Sequence, residues 1–254
     1  MNRTPLQQFF TAWPRWSLLD ECLGHSTLAN IQSDSELLRL QRDPSQVPLV
    51  RIWENPRSLI VTRRETRLPQ FQSACEQLAA DGWPVVVRDS GGTAVPHEPG
   101  VIHLSLIYHQ PSQQRYDIDL SYQALCEPIR LALEQLGINA SYGTVPGAYC
   151  DGRYNLVVAG RKITGTAQRL IPVVGGGQAV LSQAMVNVVT DVEQGTAVVN
   201  RFYQLAGDPR HYKPSASTSL NLELPHLAEE VLMRQFRDQL RQAQARLTQT
   251  DASR

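Results

Sequence analysis

The sequence carries no surplus of either charge: among 254 residues, Lys plus Arg number 24 and Asp plus Glu number 24. Such a balance builds no global field to draw in nucleic acid or an anionic membrane, leaving only local basic patches. Long apolar runs are missing too. No stretch approaches the ~20 residues of a spanning helix. The first ten residues, MNRTPLQQFF, lack the apolar core of a secretory signal. The expectation is a cytoplasmic protein with no nucleic-acid or membrane partner. Cysteine is sparse. Cys22, Cys75, Cys126 and Cys150 form no CxxC pair and no cluster with histidine, so in a reducing compartment they are thiols. The six histidines are scattered, with no HExxH, and no metal site is expected. A Gly-x-Ser-x-Gly elbow, a GxGxxG fingerprint and a Walker A loop are all absent. Internal repeats and low-complexity tracts are absent as well.

What is there can build a core. Hydrophobic residues make up 42% and charged residues 19%, which speaks against disorder. Residues 16–28 contain a short amphipathic stretch with Leu18, Leu19, Cys22 and Leu23 on one side. Residues 49–53 and 58–63 read as strands split by Asn55-Pro56. Residues 69–80 read as a helix with Phe71, Ala74, Cys75, Leu78 and Ala79 as its apolar stripe. Strands follow at 84–88 and 101–108, the second with Ile102, Leu104 and Leu106 alternating to one face. The clearest helix covers 120–136, where Tyr122, Leu125, Cys126, Ile129, Leu133 and Leu136 keep helical spacing and Gly137 stops it. Residues 154–174 predict a β-hairpin turning at Ala159-Gly160. Gly175-Gly176-Gly177 is a second turn into a strand at 178–189, and a helix at 225–247 ends the chain. The predicted fold is one α+β domain over 1–254, a mixed, mostly antiparallel sheet with flanking helices.

Chemistry concentrates at three places. Cys22, Cys75 and Cys126 sit on apolar helix faces, where cysteine behaves as a small hydrophobe. Cys150 lies in a loop, between Pro146-Gly147 and Gly152, where functional groups are often displayed; it is either an incidental loop cysteine or a nucleophile. A nucleophilic thiol needs a nearby cation, and Lys162, one hairpin strand away, is a candidate. Its other reading is an exposed strand lysine. Gly165 and Ala167 just beyond it permit close approach of a ligand or backbone. The third place is Arg88-Asp89-Ser90-Gly91-Gly92-Thr93, a strand end followed by a glycine pair that can present N–H groups to an anion or carbonyl. His97 follows in a Pro-flanked loop and can donate a hydrogen bond to substrate.

Together, Arg88-Asp89-Ser90-Gly91-Gly92 and Gly160-Arg161-Lys162-Ile163-Thr164-Gly165-Thr166-Ala167-Gln168 resemble the lipoate–protein ligase A and octanoyltransferase family, in order and spacing. The likeness covers roughly residues 16–192. It implies the catalytic fold shared by biotin and lipoate ligases. The run Ser90-Gly91-Gly92-Thr93-Ala94-Val95 and the segment Tyr149-Cys150-Asp151-Gly152-Arg153-Tyr154-Asn155 are similar to the branch of cysteine-using octanoyl or lipoyl amidotransferases. Ligases proper have a third glycine where Thr93 stands and usually a further carboxy-terminal domain, for which the residues after 192 are too few. At one point the sequence departs from the branch: Pro96-His97 stand where it tends to carry an aliphatic–acidic pair, and histidine there is a ligase trait.

The resemblance implies acyl transfer in two steps. Cys150 takes an octanoyl or lipoyl group from an octanoylated or lipoylated carrier protein as a thioester, and a lysine of an apo lipoyl domain then receives it. Cys150 and Lys162 are the catalytic pair. Arg88, Ser90, Gly91, Gly92, Thr93, His97, Gly165, Thr166 and Ala167 contact substrate, with Ser90 to Thr93 walling the acyl tunnel and backbone N–H groups at 165–167 aiding Lys162. Asp89, Tyr149 and Asn155 are supporting or purely structural. No cofactor is needed on this route. The alternatives are an ATP-dependent lipoate ligase, which uses ATP and magnesium through an acyl-adenylate and leaves Cys150 idle, and a non-catalytic protein that binds acyl groups or carriers.

Overall fold

In the computed structural model, which describes residues 3–21 and 26–248, the long strands β6 (Val101–Gln110) and β10 (Gln178–Asn187) form the centre of the molecule. They pair antiparallel along their whole length, from Gln178 opposite Gln110 to Asn187 opposite Val101. Around them a seven-stranded sheet runs β1 (Ser17–Asp20), β2 (Leu49–Trp53), β6, β10, β9 (Arg161–Pro172), β8 (Asn155–Val158), β7 (Ser141–Gly143). Only β1–β2 is parallel. A three-stranded sheet runs β4 (Val85–Arg88), β3 (Ser58–Thr62), β5 (Val95–His97). The α+β architecture with a mixed, mostly antiparallel sheet is the one expected. The hairpin turns at Ala159-Gly160, both with positive φ, as a two-residue hairpin turn requires.

Strand alternation sorts the two faces of the large sheet. Ile102, Leu104, Leu106 and Tyr108 of β6, with Val50 and Ile52 of β2, join an apolar cluster with Phe9, Phe10, Leu125, Ile129, Leu133, Phe236 and Leu240. These come from α1 (Pro5–Thr11), α4 (Ile118–Gln135) and α7 (Glu229–Thr248), which cover that face. The opposite face of β6 presents His103, Ser105, Ile107 and His109, also buried. Both faces of β6 are therefore covered, whereas its sequence pattern predicts one. α2 (Thr27–Leu40) and the small sheet cover this second face, and the small sheet is backed by α3 (Phe71–Ala80) and α5 (Val192–Ala206). The short α6 (Leu220–Glu223) leads into α7. Arg237 ties α7 to the rest, bonding Asp20 at 2.5 Å and Glu54 at 2.6 Å.

Three helices depart from the expectation, besides the four-residue α6, which also has no predicted counterpart. α1 has no counterpart among the predicted elements. α2 hides because its buried positions Thr27, Asn30, Asp34 and Leu38 are mostly polar, so helical spacing of apolar residues is lost. α5 keeps helical spacing at Val192, Val199, Phe202, Tyr203 and Ala206, with a side-chain cap from Asp191 and a left-handed Gly207 at its ends, yet no predicted element covers it. The amphipathic stretch at 16–28 is instead strand β1 followed by the start of α2, and Leu18 on it is exposed. Cys22 and Leu23 lie outside the described residues. Of the α3 stripe, Ala74 and Leu78 are buried while Ala79 is exposed. No helix among the described residues is long and apolar enough to cross a membrane.

Candidate active site

Cys150 stands in a tight loop between β7 and β8. The loop is braced by Asp151, whose Oδ1 accepts from the N–H of Val145 at 2.9 Å, of Gly152 at 3.0 Å and from Asn155 Nδ2 at 2.6 Å. This bracing holds Cys150 at φ 47°, a left-handed conformation that costs a non-glycine residue about 1 kcal/mol. Thr93 locks it from the small-sheet side. The Cys150 N–H donates to Thr93 Oγ1 at 3.0 Å, and the Thr93 N–H donates to Cys150 Sγ at 3.5 Å. One guanidinium nitrogen of Arg88 donates to the carbonyls of Gly91 and Thr93 at 3.1 and 2.9 Å and lies 3.8 Å from Sγ. Gly92 is required by this packing. Its φ is 111°, and a Cβ there would sit 2.5 Å from Sγ and 2.9 Å from Arg88.

Lys162 is buried, at 3% exposure, and is not the exposed strand lysine that composition alone allows. A bulge aims it. Val157 of β8 pairs with Lys162 while the next residue back, Leu156, pairs with Thr164, so β9 carries one extra residue there. Without the bulge, residues 162 and 165 would point to opposite faces. With it, Lys162 and Gly165 share a side: a Cβ on Gly165 would lie 3.1 Å from Lys162 Nζ. Ile163 between them enters the apolar core. Lys162 Nζ donates to the carbonyls of Tyr149 and Cys150, each at 2.7 Å. An ammonium has three N–H donors, so one remains for another partner.

Charge then decides the state of the thiol. Burial pushes the Cys150 thiol up, but the Lys162 and Arg88 charges and the Thr93 N–H outweigh it, and its pKa falls below the ordinary thiol value. Burial likewise lowers Lys162, against the opposing pull of Cys150 and Asp151. Cys126 on α4 shows what burial does alone: its thiol is pushed up to about 12, chiefly by loss of water, with Arg130 opposing weakly.

The pair opens onto a cavity of about 710 Å³, counting its open mouth, between the second face of the large sheet and the small sheet. Ile60, Val95, Leu181 and Met185 supply apolar wall, and Trp53, His97 and His103 supply rings. His103 stacks on Trp53 at 4.3 Å between centroids and lies 4.1 Å from His97. Both imidazoles are held neutral. Burial first, then His103 and Arg88, push His97 well below its usual pKa; burial, then Arg51 and Arg88, push His103 down to about 3.

Of the sequence-derived candidates, Cys150, Lys162, Arg88, Ser90, His97, Gly165, Thr166 and Ala167 border this one cavity. Gly91, Gly92 and Thr93 do not line it. Gly92 and Thr93 pack around the thiol and Gly91 lends its carbonyl to Arg88, so of residues 90–93 only Ser90 borders the cavity. Asp89 pairs with Arg63 at 2.6 Å and Arg169 at 2.8 Å, and Tyr149 lends Lys162 its carbonyl. Sequence reasoning misses Trp53, His103, Asp34, Gln183 and Met185, which come from helix and strand positions with no motif. One signal for Lys162 is available: it is one of only two lysines, with Lys213, among 24 basic residues. The described residues hold no cluster of side chains suited to a metal ion.

A family model described as lipoyl protein ligase A/B catalytic domain matches residues 26–245. The chain is similar to an octanoyl-[GcvH]:protein N-octanoyltransferase of Kyrpidia tusciae, 35% identical over 218 residues that cover 84% of this chain and 75% of that protein. It is 36% identical over 231 residues to an uncharacterized protein of Cupriavidus necator, covering 84% of this chain and 90% of that one. Among solved structures, lipoate-protein ligase A bound with ATP shares the fold, with a TM-score of 0.67 at 19% identity over 92% of this chain and 84% of that chain. A match across most of the chain, on a fold with the same architecture, means that the chain belongs to the lipoyl protein ligase A/B catalytic-domain family.

Proposed function

We propose that the protein is an octanoyltransferase that works through a thioester on Cys150, with one catalytic domain carrying the whole reaction. The carrying observation is the setting of Cys150: a thiol lowered in pKa by the buried Lys162 and the half-buried Arg88, beside a largely apolar cavity. The name of the Kyrpidia relative supports octanoyl as the acyl group and a GcvH-type lipoyl carrier as a partner. The Cys150 thiolate attacks the acyl carbonyl carbon, and the carrier's leaving group departs with a proton. The enzyme then holds the acyl group as a thioester. The lysine amine of an apo lipoyl domain attacks in turn and loses a proton, an amide forms, and the thiolate is regenerated.

Lys162 brings its third N–H to the negative oxygen of each tetrahedral intermediate. Arg88 lines the same cavity with Nη2 3.8 Å from Cys150 Sγ, and its guanidinium is a second donor beside the reacting carbonyl. Fixed donors of this kind are typically worth about 10²–10³ in rate each. The apolar wall takes the alkyl chain at about 0.8 kcal/mol per buried CH₂. The route needs neither ATP nor magnesium. The test is acylation of an apo lipoyl domain from an octanoylated carrier with ATP omitted. Transfer under those conditions is the expected result; acylation only from free octanoate plus ATP would mean the ligase chemistry.

A further inference from the structure

His97 borders the cavity, and its sequence context leaves its protonation undefined. We propose that Arg51, Asn30 and Asn55 form a hydrogen-bond relay that locks His97 as the neutral Nε2–H tautomer, making it a donor to the acyl carbonyl and not a base. The chain starts at Arg51 on β2, which is fixed by Glu21 at 2.5 Å and Asp34 at 2.8 Å. Arg51 Nη2 bonds the Asn30 side chain at 2.9 Å. A guanidinium has no acceptor, so the Asn30 atom it meets is the carbonyl oxygen. The other end of Asn30 is therefore the amide NH₂. Independent support comes from its 3.1 Å bond to the Glu54 main-chain carbonyl, which can only accept.

The same NH₂ reaches Asn55 at 2.8 Å, which makes the Asn55 atom facing it the oxygen. Asn55 then turns its NH₂ to His97 Nδ1, also at 2.8 Å. That nitrogen must offer a lone pair, so the single proton of the neutral ring sits on Nε2. A second proton on Nδ1 would set N–H against N–H between groups that are 0% and 5% exposed. The titratable groups facing His97 do not favour it either: the Arg88 charge at the end of β4 disfavours an imidazolium, His103 from β6 is itself held neutral, and Glu98, next in the chain, is engaged by Arg57 at 3.7 Å.

A locked Nε2–H cannot take the proton of Cys150; the Lys162 and Arg88 charges account for the ionisation of that thiol. It can only donate. An octanoyl group has one good acceptor, its carbonyl oxygen. That last step rests on the acyl-transfer function proposed above; the tautomer does not. Arg51, Asn30 and Asn55 are accordingly positioning residues for His97.

Long-range ¹H–¹⁵N correlation of the histidine rings tests the lock. In the unmodified protein, His97 Nδ1 should give a lone-pair-type shift and Nε2 a protonated-type shift, unchanged from about pH 5 to about pH 9. A lone pair on Nε2 would overturn the relay. Asn55→Asp is the sharper variant, because a carboxylate oxygen still accepts from Asn30 but the donor to Nδ1 becomes an acceptor. At low pH the introduced carboxylate and His97 share a proton and Nε2–H persists. As pH rises the pair loses it, Nδ1 turns its N–H to the carboxylate, and Nε2 is left bare. Octanoyl transfer by this variant should fall roughly 10²-fold along that titration and return on acidification. A transfer rate that ignores the tautomer would remove the donor role while leaving the lock standing, and an inactive unmodified protein would instead count against acyl transfer itself.

Discussion

One face of the seven-stranded sheet is sealed with hydrocarbon by α1, α4 and α7, while the other meets α2 and the small sheet across charges, amides and imidazoles. The first face carries Ile102, Leu104, Leu106 and Tyr108; the second carries Arg51 and Ser105, bound to Asp34 and, for Arg51, Asn30 of α2, with Trp53 donating to Ser105 and His103 stacked on Trp53. Buried polar groups cost stability unless each finds a partner. Here they are mostly paired, and the space they leave becomes the cavity. The two faces also hold two cysteines in opposite states. Burial raises Cys126 to about 12, whereas Lys162 and Arg88 reverse the effect of burial on Cys150. The pKa of a buried thiol is thus set by the charges and donors around it.

The sharpest way to break this contrast is to exchange the losses. Cys150→Ala should abolish transfer and leave the melting temperature close to that of the parent. Cys126→Ala should keep transfer per folded molecule and cost on the order of 1 kcal/mol in stability, measured by denaturant titration. Next in size, Lys162→Met should lower transfer by roughly 10²–10³-fold. It should also move the pH midpoint of Cys150 alkylation upward, since one of the two cations holding the thiolate is gone; an unchanged midpoint would refute the electrostatic account. Gly165→Ala should act more gently. Its methyl must displace the Lys162 ammonium by a few tenths of an ångström, and a loss of roughly tenfold follows from a donor slightly out of place.

The smallest effect concerns pH and stability. His97 and His103 have folded pKa values below their unfolded value near 6.5, so the unfolded chain binds more protons below that pH. Their contribution is complete above about pH 6.5 and is lost progressively as pH falls toward about 3 for His103. Denaturant midpoints at falling pH should decline over that window, and less so in a His103→Gln variant.

Much of this molecule is legible in the sequence where apolar spacing or turn chemistry writes it. The α4 stripe, the Ala159-Gly160 hairpin and the triple-glycine turn all stand as expected. Legibility fails where polar residues do the packing. α2 buries Asn30 and Asp34, so its period is invisible to a hydrophobicity scan, and the second face of β6 reads as polar although it is covered. The placement of Cys150 beside Lys162 follows from a motif resemblance, but the bulge that turns Lys162 and Gly165 to one side leaves no trace in residue types. The resemblance puts Thr93 on substrate; its bonds to the cysteine backbone and thiol become visible only once two distant segments meet.

The central claim is that Cys150 carries the acyl group. Intact mass of the protein after incubation with an octanoylated carrier, without ATP, tests it most directly beside the Cys150→Ala variant. The account predicts a gain of one octanoyl group on the parent alone, removed by hydroxylamine. No gain on the parent, or an equal gain on both proteins, would contradict it.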